Sequence, residues 1–149
     1  MELEHVFDYR VRLAAPVVVG PGPHGTRVFF GVADGEVAGP RVNGTVLGGG
    51  GDWMVVGPDG WTRLDVRGQF RTDDGAVVYT TYRGVCEPSE AVVAAMAGGP
   101  ATQFDDQYWR VTPVFETGDD RYAWLNQSVF VARGRAIEGP GVAYEVYRV

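Results

Sequence analysis

Charged and apolar side chains alternate along residues 63–71. Because side chains in a strand point alternately to opposite faces, Arg63, Asp65, Arg67, Gln69 and Arg71 share one face, here called the ionic face. A carboxylate beside a guanidinium stays ionised and can accept a proton or orient a substrate. If the ionic face lines a pocket, Asp65 is a candidate general base, and Arg67 and Gln69 are candidate substrate-binding residues. If the ionic face is on the outer surface, its salt bridges contribute little to stability, and the opposite, apolar face fills the barrel.

Two more side chains are candidates for proton transfer. Asp52 and Trp53 follow four glycines, and an Asp at the start of a strand beside a large aromatic residue suits a general base with a stacking wall. The alternative is a turn Asp that caps its own backbone, with Trp53 packed in the core. Tyr79 could donate a hydrogen bond to a carbonyl or stabilise an enolate. Otherwise it is a rim residue of a type that strands favour.

The remaining candidate binding residues lie on later strands. Arg83 shares a strand face with Tyr79, Arg110 projects from the next strand, and Trp124 and Asn126 share a face of the strand after that. An Arg and an Asn from neighbouring strands would complete a polar cluster with the ionic face, and Trp124 would form a wall of the pocket. The alternative for Asn126 is a hydrogen-bond network in the core, because buried amides need partners.

Turn residues divide the chain into short extended segments. Strands are predicted over residues 3–13, 26–33, 36–47, 52–57, 63–71, 76–83, 106–116, 122–133 and 142–149, with a shorter extended piece at 16–20. Turns are predicted at 34–35, 58–60, 73–75, 118–120 and 138–141, a bulge or edge at 39–40, and a flexible corner at 48–51. The one predicted helix covers residues 89–97, with Ser89 as its N-cap and Gly98-Gly99-Pro100 at its end.

This order of elements predicts an all-β fold. No helix separates successive strands, which excludes a parallel α/β sheet. An antiparallel meander of this length usually closes on itself to remove its edges. We therefore expect a single domain over residues 1–149, an antiparallel up-and-down β-barrel of about eight to ten strands with one short helix. Such a barrel holds one small ligand at most.

Composition excludes several classes of function. The net charge is −6 and all 13 basic residues are Arg, which is typical of a G+C-rich genome; without a basic cluster, nucleic acid is not expected as a partner. The single Cys86 and the two His residues lack metal-ligand spacing, and no dinucleotide or phosphate-loop motif occurs, so we expect no metal and no cofactor. No long apolar run and no secretion signal is found, so we expect no membrane association and a cytoplasmic location.

Five short motifs occur in order along the chain. They are Gly49-Gly50-Gly51-Asp52-Trp53, Leu64-Asp65-Val66-Arg67, Thr72-Asp73-Asp74-Gly75-Ala76, Tyr108-Trp109-Arg110-Val111-Thr112-Pro113-Val114-Phe115-Glu116-Thr117 and Tyr122-Ala123-Trp124-Leu125-Asn126. Together they resemble the conserved family called domain of unknown function 3237, over residues 3–149. The resemblance implies a calycin-like barrel, similar in shape to lipocalins, and no settled activity. It also favours a lumen position for the ionic face, since exposed salt bridges rarely define a family's motif. Trp109 and Val111 depart from the family's usual Phe or Tyr and Thr, which bears on the shape of the pocket.

Two functions from different classes fit these residues. The first is a cofactor-independent acid–base enzyme, an isomerase, cyclase, hydratase or dehydratase, acting on a small carboxylated or polyketide-like molecule. Asp65 or Asp52 would be the base, the arginines would hold an anionic group, and Trp53 would form a wall. The second is a non-catalytic, lipocalin-shaped binding protein for a small organic ligand. A third and plainer interpretation is an interaction protein without a pocket, for which a homodimer is the common form.

Overall fold

The computed structural model describes residues 1–149 and contains nine antiparallel strands. These strands are β1 (Glu4–Leu13), β2 (Val17–Gly22), β3 (Gly25–Ala38), β4 (Asn43–Val56), β5 (Thr62–Thr72), β6 (Val77–Cys86), β7 (Trp109–Glu116), β8 (Phe130–Ile137) and β9 (Gly141–Arg148). Neighbours in sequence are neighbours in the sheet from β2 to β9. The predicted all-β antiparallel fold is confirmed. None of the helices has the length and the apolar character needed to span a membrane.

The sheet closes through β1, which pairs with β9 along one edge and with the second half of β3 along the other. Eight strands therefore form a closed barrel, and closure leaves them no free edges. The short β2 is the ninth strand. It pairs only with the first half of β3, so it extends one end of the barrel without taking part in closure.

Two predicted breaks in the strands are β-bulges. The expected turn at 34–35 and the expected corner at 48–51 both lie inside long strands, β3 and β4, whose pairing shifts register at these places. Glycine makes the shifts possible. A side chain at Gly35 would lie 2.0 Å from the carbonyl oxygen of Arg10, and Gly49 and Gly50 have φ angles of 91° and 81°. The reversal between β3 and β4 lies instead at residues 39–42.

The predicted strand at 122–133 is wrong over its first half. A 3-10 turn (Asp120–Tyr122) leads into the one-turn helix α2 (Ala123–Asn126), and β8 begins only at Phe130. The side chain of Asn126 fixes this turn. Its Oδ1 accepts a hydrogen bond from the Thr117 N–H at 2.8 Å, and its Nδ2 donates to the Thr117 carbonyl at 2.9 Å. These tertiary hydrogen bonds outweigh the local preference of the aromatic residues for a strand.

Asn126 is accordingly expected to stabilise the fold without contributing to ligand binding. Asn126→Ala removes both hydrogen bonds to Thr117 and should lower the free energy of unfolding by about 1 kcal/mol. Urea denaturation measures the loss. Gln127→Ala is the matched control, because this exposed neighbour makes no side-chain hydrogen bond. A loss of stability equal in the two variants would contradict the role given to Asn126.

The predicted helix is confirmed as α1 (Glu90–Met96). The hydroxyl of Ser89 accepts a hydrogen bond from the Val92 N–H at 3.2 Å, which is the expected N-cap. Ala95 is fully buried, and Val92 and Met96 pack against the core. Helix α1 thus places two apolar side chains at one end of the barrel.

Aromatic side chains fill the opposite end of the barrel. Phe7, Phe70 and Phe115 meet edge to face, with ring centroids between 5.4 and 6.3 Å apart, and Phe130 packs on Phe115 at 5.1 Å. All four are at most 5% exposed. These rings leave no room for a ligand at their end, so open space is confined to the end near α1 and β2.

Candidate functional site

The ionic face lies on the outside of the barrel. Leu64, Val66 and Phe70 point inward and are at most 5% exposed, whereas the side chain of Asp65 is 47% exposed and that of Arg83 82%. Asp65 meets Arg83 across the strands, with 3.6 Å between Oδ1 and Nε. Of the two positions that the alternation leaves open, the outer surface is therefore the correct one, and the lumen position that the resemblance favours is wrong. An eight-stranded barrel has interior room for only one set of side chains from each strand, and the apolar set occupies it.

Most of the other predicted site residues also lie outside. Arg67, Gln69 and Tyr79 are exposed, with Gln69 and Tyr79 opposite each other on paired strands. Four predicted residues do come together, around an open surface depression of about 770 Å³. They are Trp53, Asp65, Arg83 and Arg110. The Arg110 side chain bonds the carbonyl oxygen of Trp109 and lies over the ring of Tyr108.

Trp124 and Asn126 are separate from both groups. Trp124 packs against Phe130, with Arg41 stacked on its ring at 3.9 Å. It therefore closes the aromatic end of the barrel. Asn126 holds the turn before β8, as described above. Of the ten predicted site residues, Asp52 alone lines the interior.

The interior holds a cavity of about 270 Å³ at the end near α1. Its wall is almost wholly apolar and comes from nearly every strand of the barrel. The residues are Tyr9, Val11, Leu13, Pro16, Val18, Val28, Phe30, Val32, Asp52, Met54, Val56, Thr62, Leu64, Val66, Tyr82, Cys86, Val92, Val93, Met96, Trp109, Val142 and Tyr144. Val18 on β2 and Val93 on α1 are both more than two-thirds exposed, which marks the mouth between these two elements.

Asp52 is the one ionisable carboxyl group in this cavity. The bulge in β4 sets its direction, because beyond it Asp52 lies opposite the inward-facing Phe30 and Val66. Its Oδ1 accepts a hydrogen bond from the Asp65 N–H at 3.1 Å, and no cation pairs with it. Burial raises the pKa of Asp52 to about 6, with a small further rise from the negative Asp65, while the backbone hydrogen bond opposes the change. Near neutral pH the group is a poorly solvated carboxylate that can accept a proton.

Four hydrogen-bonding aromatic residues share the cavity with Asp52. They are Tyr9, Tyr82, Trp109 and Tyr144, all at most 6% exposed. Burial raises the pKa of each tyrosine well above its ordinary value, and the Asp52 carboxylate adds to the rise for Tyr82 and Tyr144. Each phenol therefore keeps its proton. Neither the Tyr144 hydroxyl nor the Trp109 Nε1 has a hydrogen-bond partner in the protein.

Sequence reasoning missed this aromatic group. Tyr82 and the predicted Tyr79 lie on opposite faces of β6. Because the ionic face is on the outside of the barrel, Tyr79 points outward and Tyr82 points inward. The available signal was the alternation itself. Each tyrosine shares a strand face with apolar residues: Tyr9 with Phe7 and Val11, Tyr82 with Val78 and Cys86, and Tyr144 with Val142 and Val146. No group of three or more His, Cys, Asp and Glu side chains is arranged to hold a metal ion.

The raised pKa of Asp52 makes a prediction about stability. The folded protein holds this proton more tightly than the unfolded chain between the ordinary pKa of 3.8 and about 6, so the contribution of Asp52 to stability falls as pH rises through that window. Relative to Asp52→Asn, wild-type protein should lose about 2–3 kcal/mol of unfolding free energy between pH 4 and 7. Urea denaturation of both proteins across this range measures the difference. Parallel pH curves would show that Asp52 has an ordinary pKa.

The comparisons with known proteins agree with the fold. A family described as a protein of unknown function, DUF3237, matches residues 1–149. A protein of Clostridium acetobutylicum is 33% identical over 132 residues, which are 88% of this chain and 84% of the relative. The crystal structure of a conserved protein of unknown function from Rhodopseudomonas palustris has a TM-score of 0.90 at 32% identity, and the match covers 99% of this chain and 96% of the other.

Two further solved structures have the same architecture. A β-barrel-like protein from Acinetobacter baumannii has a TM-score of 0.82 at 30% identity, and the match covers 99% of this chain and 94% of that one. A protein described as an enzyme from Penicillium herquei has a TM-score of 0.69 at 19% identity, with 97% and 93% coverage. At 19% identity the likeness shows a shared fold and nothing further.

Proposed function

Because this chain belongs to the DUF3237 family, whose members are described as proteins of unknown function, its chemistry has to be argued from its own site. We propose that it is a cofactor-independent acid–base enzyme that acts on a small organic molecule inside the barrel. The observation that carries the proposal is Asp52, a carboxyl group without a cationic partner, held in an apolar cavity with a pKa raised to about 6. A carboxylate in that setting is costly for stability, and its use is to transfer protons.

The environment of Asp52 suits proton transfer from a weakly acidic group. A base works best when its pKa lies near the working pH, and burial moves Asp52 towards that range. Poor solvation also raises the reactivity of the carboxylate towards a proton that the substrate offers. Accepting a proton at one position and returning it at another is sufficient for an isomerase, cyclase, hydratase or dehydratase. None of these reactions requires a redox cofactor.

The charge of the cavity favours an uncharged substrate. No arginine lines it, and its one ionisable carboxyl is negative near neutral pH. The candidate arginines for an anionic group, Arg67, Arg83 and Arg110, are all on the outer surface. A carboxylated substrate would have to lose its hydration beside a second carboxylate, which is unfavourable. A neutral, largely apolar molecule of polyketide-like character fits this wall better than the small acid that the sequence suggested.

The alternative is a small-ligand binding protein, and the apolar wall supports it. Such a protein would bury its ligand against Val, Leu, Phe and Met side chains and make no use of the reactivity of Asp52. The two functions differ in one measurable property, namely whether a bound molecule loses a proton to Asp52.

A generic proton-transfer probe tests the proposal without knowledge of the natural substrate. 5-Nitrobenzisoxazole is small, planar and uncharged. A base removes its ring C–H proton, the C–H electron pair forms the nitrile, and the N–O bond breaks to give a coloured phenolate. Wild-type protein at pH 7 should open the ring well above the buffer rate, with saturation by the probe. Saturable binding without ring opening would overturn the enzyme proposal and favour the binding protein.

A further inference from the structure

Two buried hydrogen-bond donors in the cavity wall have no partner. Four buried side-chain polar atoms in this protein lack a hydrogen bond, and two of them, the Tyr144 hydroxyl oxygen and Trp109 Nε1, belong to residues that line the cavity. Tyr144 is 2% exposed and Trp109 4%. Native proteins rarely leave such groups unpaired, because each one costs about 1–3 kcal/mol of stability. An unpaired donor at a cavity wall therefore calls for an explanation in terms of what enters the cavity.

The rings that carry the two donors pack against each other. The rings of Trp109 and Tyr144 meet edge to face at 5.9 Å with an interplanar angle of 89°, and Tyr82 packs on Tyr144 at 5.3 Å. Gly134 lies between the two rings, and a Cβ there would come within 2.8 Å of Tyr144 and 2.9 Å of Trp109. The polar groups of Tyr82 and Trp109 lie close enough to the Tyr144 hydroxyl to lower its pKa, although neither contact has the geometry of a full hydrogen bond.

The chemistry of the pair restricts what it can bind. Indole N–H is a donor only, and the Tyr144 phenol keeps its proton because burial and the Asp52 carboxylate raise its pKa. Two neighbouring donors match one acceptor oxygen, and apart from Asp52, Thr62 and the other two tyrosines the wall is apolar. A carbonyl oxygen has two lone pairs and no proton, so it can accept a hydrogen bond from both donors at once.

We propose that Tyr144 and Trp109 bind the carbonyl oxygen of an uncharged, largely apolar substrate. This inference rests on the proposed function for the role of Asp52 but not for binding. In the reaction, Asp52 would take a proton from the carbon next to the carbonyl, the C–H electron pair would form a C=C bond, and the carbonyl π electrons would move to oxygen. The two donors would stabilise that negative oxygen. If the substrate carries a C=C bond β,γ to the carbonyl, this enolate is conjugated with it. Return of the proton to the γ carbon then re-forms the carbonyl and moves the C=C bond to the α,β position, which completes the isomerisation.

A matched pair of ligands tests the binding step. 1-Indanone and indane have the same ring frame and differ by the carbonyl oxygen. This oxygen can accept hydrogen bonds from Tyr144 and Trp109 but gains none from the Asp52 carboxylate, which has no proton to donate. Isothermal titration calorimetry at pH 7 should show 1-indanone binding wild-type protein about tenfold more tightly than indane. Tyr144→Phe should remove most of this preference and leave the affinity for indane unchanged. Tyr108→Phe, an exposed tyrosine outside the barrel, is the control and should behave as wild type.

A second measurement needs no substitution in the core. The indole N–H resonance of Trp109 in ¹⁵N-labelled protein should move downfield on addition of 1-indanone and much less on addition of indane, because only the ketone accepts its hydrogen bond. Equal affinity for the two ligands, an equal loss of both in Tyr144→Phe, or no binding of 1-indanone at its solubility limit would overturn the proposal.

The two proposals fail in different ways. Asp52→Asn should keep the preference for 1-indanone while losing the ring opening of 5-nitrobenzisoxazole. If the preference is present but ring opening is absent in wild type, the carbonyl site stands and the enzyme proposal falls. If ring opening is present without the preference, Asp52 is a base and the donors serve another purpose.

Discussion

Asp52→Asn is expected to lower the rate of ring opening of 5-nitrobenzisoxazole by at least about 100-fold, which is the usual contribution of a general base. The amide is nearly isosteric and its oxygen still accepts the hydrogen bond from the Asp65 N–H, so the cavity keeps its shape while the base is lost. In wild type the rate should rise with pH and level off above about 6, following ionisation of Asp52. Stopped-flow or plate absorbance of the phenolate product between pH 4.5 and 8 measures both effects.

Asp65, the other candidate base, provides the control for this result. Asp65→Asn removes a carboxylate that lies one strand away, on the outside of the barrel, and should keep the wild-type rate within about twofold. Equal losses in the two variants, or a rate in Asp52→Asn that equals the wild-type rate, would remove Asp52 from the reaction. A loss of rate confined to Asp65→Asn would instead identify Asp65, on the ionic face, as the base.

Phe70→Ala is expected to be among the most destabilising single substitutions in the barrel, at about 3–5 kcal/mol of unfolding free energy. The ring of Phe70 is fully buried and contacts Phe7, Tyr9 and Phe115, so its removal leaves a void that the closed barrel cannot collapse to fill. Chemical denaturation of wild type and variant at one pH gives the value.

Tyr79→Ala is the control for Phe70→Ala. Tyr79 is an aromatic residue on the strand paired with β5, but it faces outward and is 36% exposed. Its truncation should cost less than about 1 kcal/mol. Similar losses in the two variants would mean that the barrel is held by strand pairing more than by its aromatic layer.

The alternation along residues 63–71 predicts the strand but not which face points inward. An apolar set and a charged set give the same period of two whether the charged residues face water or a polar lumen. The size of the barrel settles the question, because eight strands enclose just enough room for the apolar set. That number depends on pairing between β1 and β3, which are distant in sequence, and no local pattern contains it.

The direction of Asp52 depends on a different long-range feature. Four glycines before it indicate a flexible place, but the shift of register between Leu47 and Gly51 decides on which side of the sheet Asp52 emerges. The aromatic group of Tyr9, Tyr82 and Tyr144 comes from three strands whose stagger brings the rings together. Its members could be recognised as inward-facing, but not as neighbours. At residues 122–126 the local sequence predicts a strand and the structure has a turn and a short helix. The hydrogen bonds between Asn126 and Thr117 override the strand preference of the aromatic residues there.

The position of β2 separates closure of the barrel from access to its cavity. Since β1 closes the ring by pairing with β3, the hairpin of β2 contributes nothing to closure, yet it supplies Pro16 and Val18 to the mouth of the cavity. Changes of length or sequence in this hairpin can therefore alter which molecules enter without weakening the closed sheet. An engineer who wishes to change access to the cavity can therefore begin at residues 16–23 and leave the closed sheet as it is.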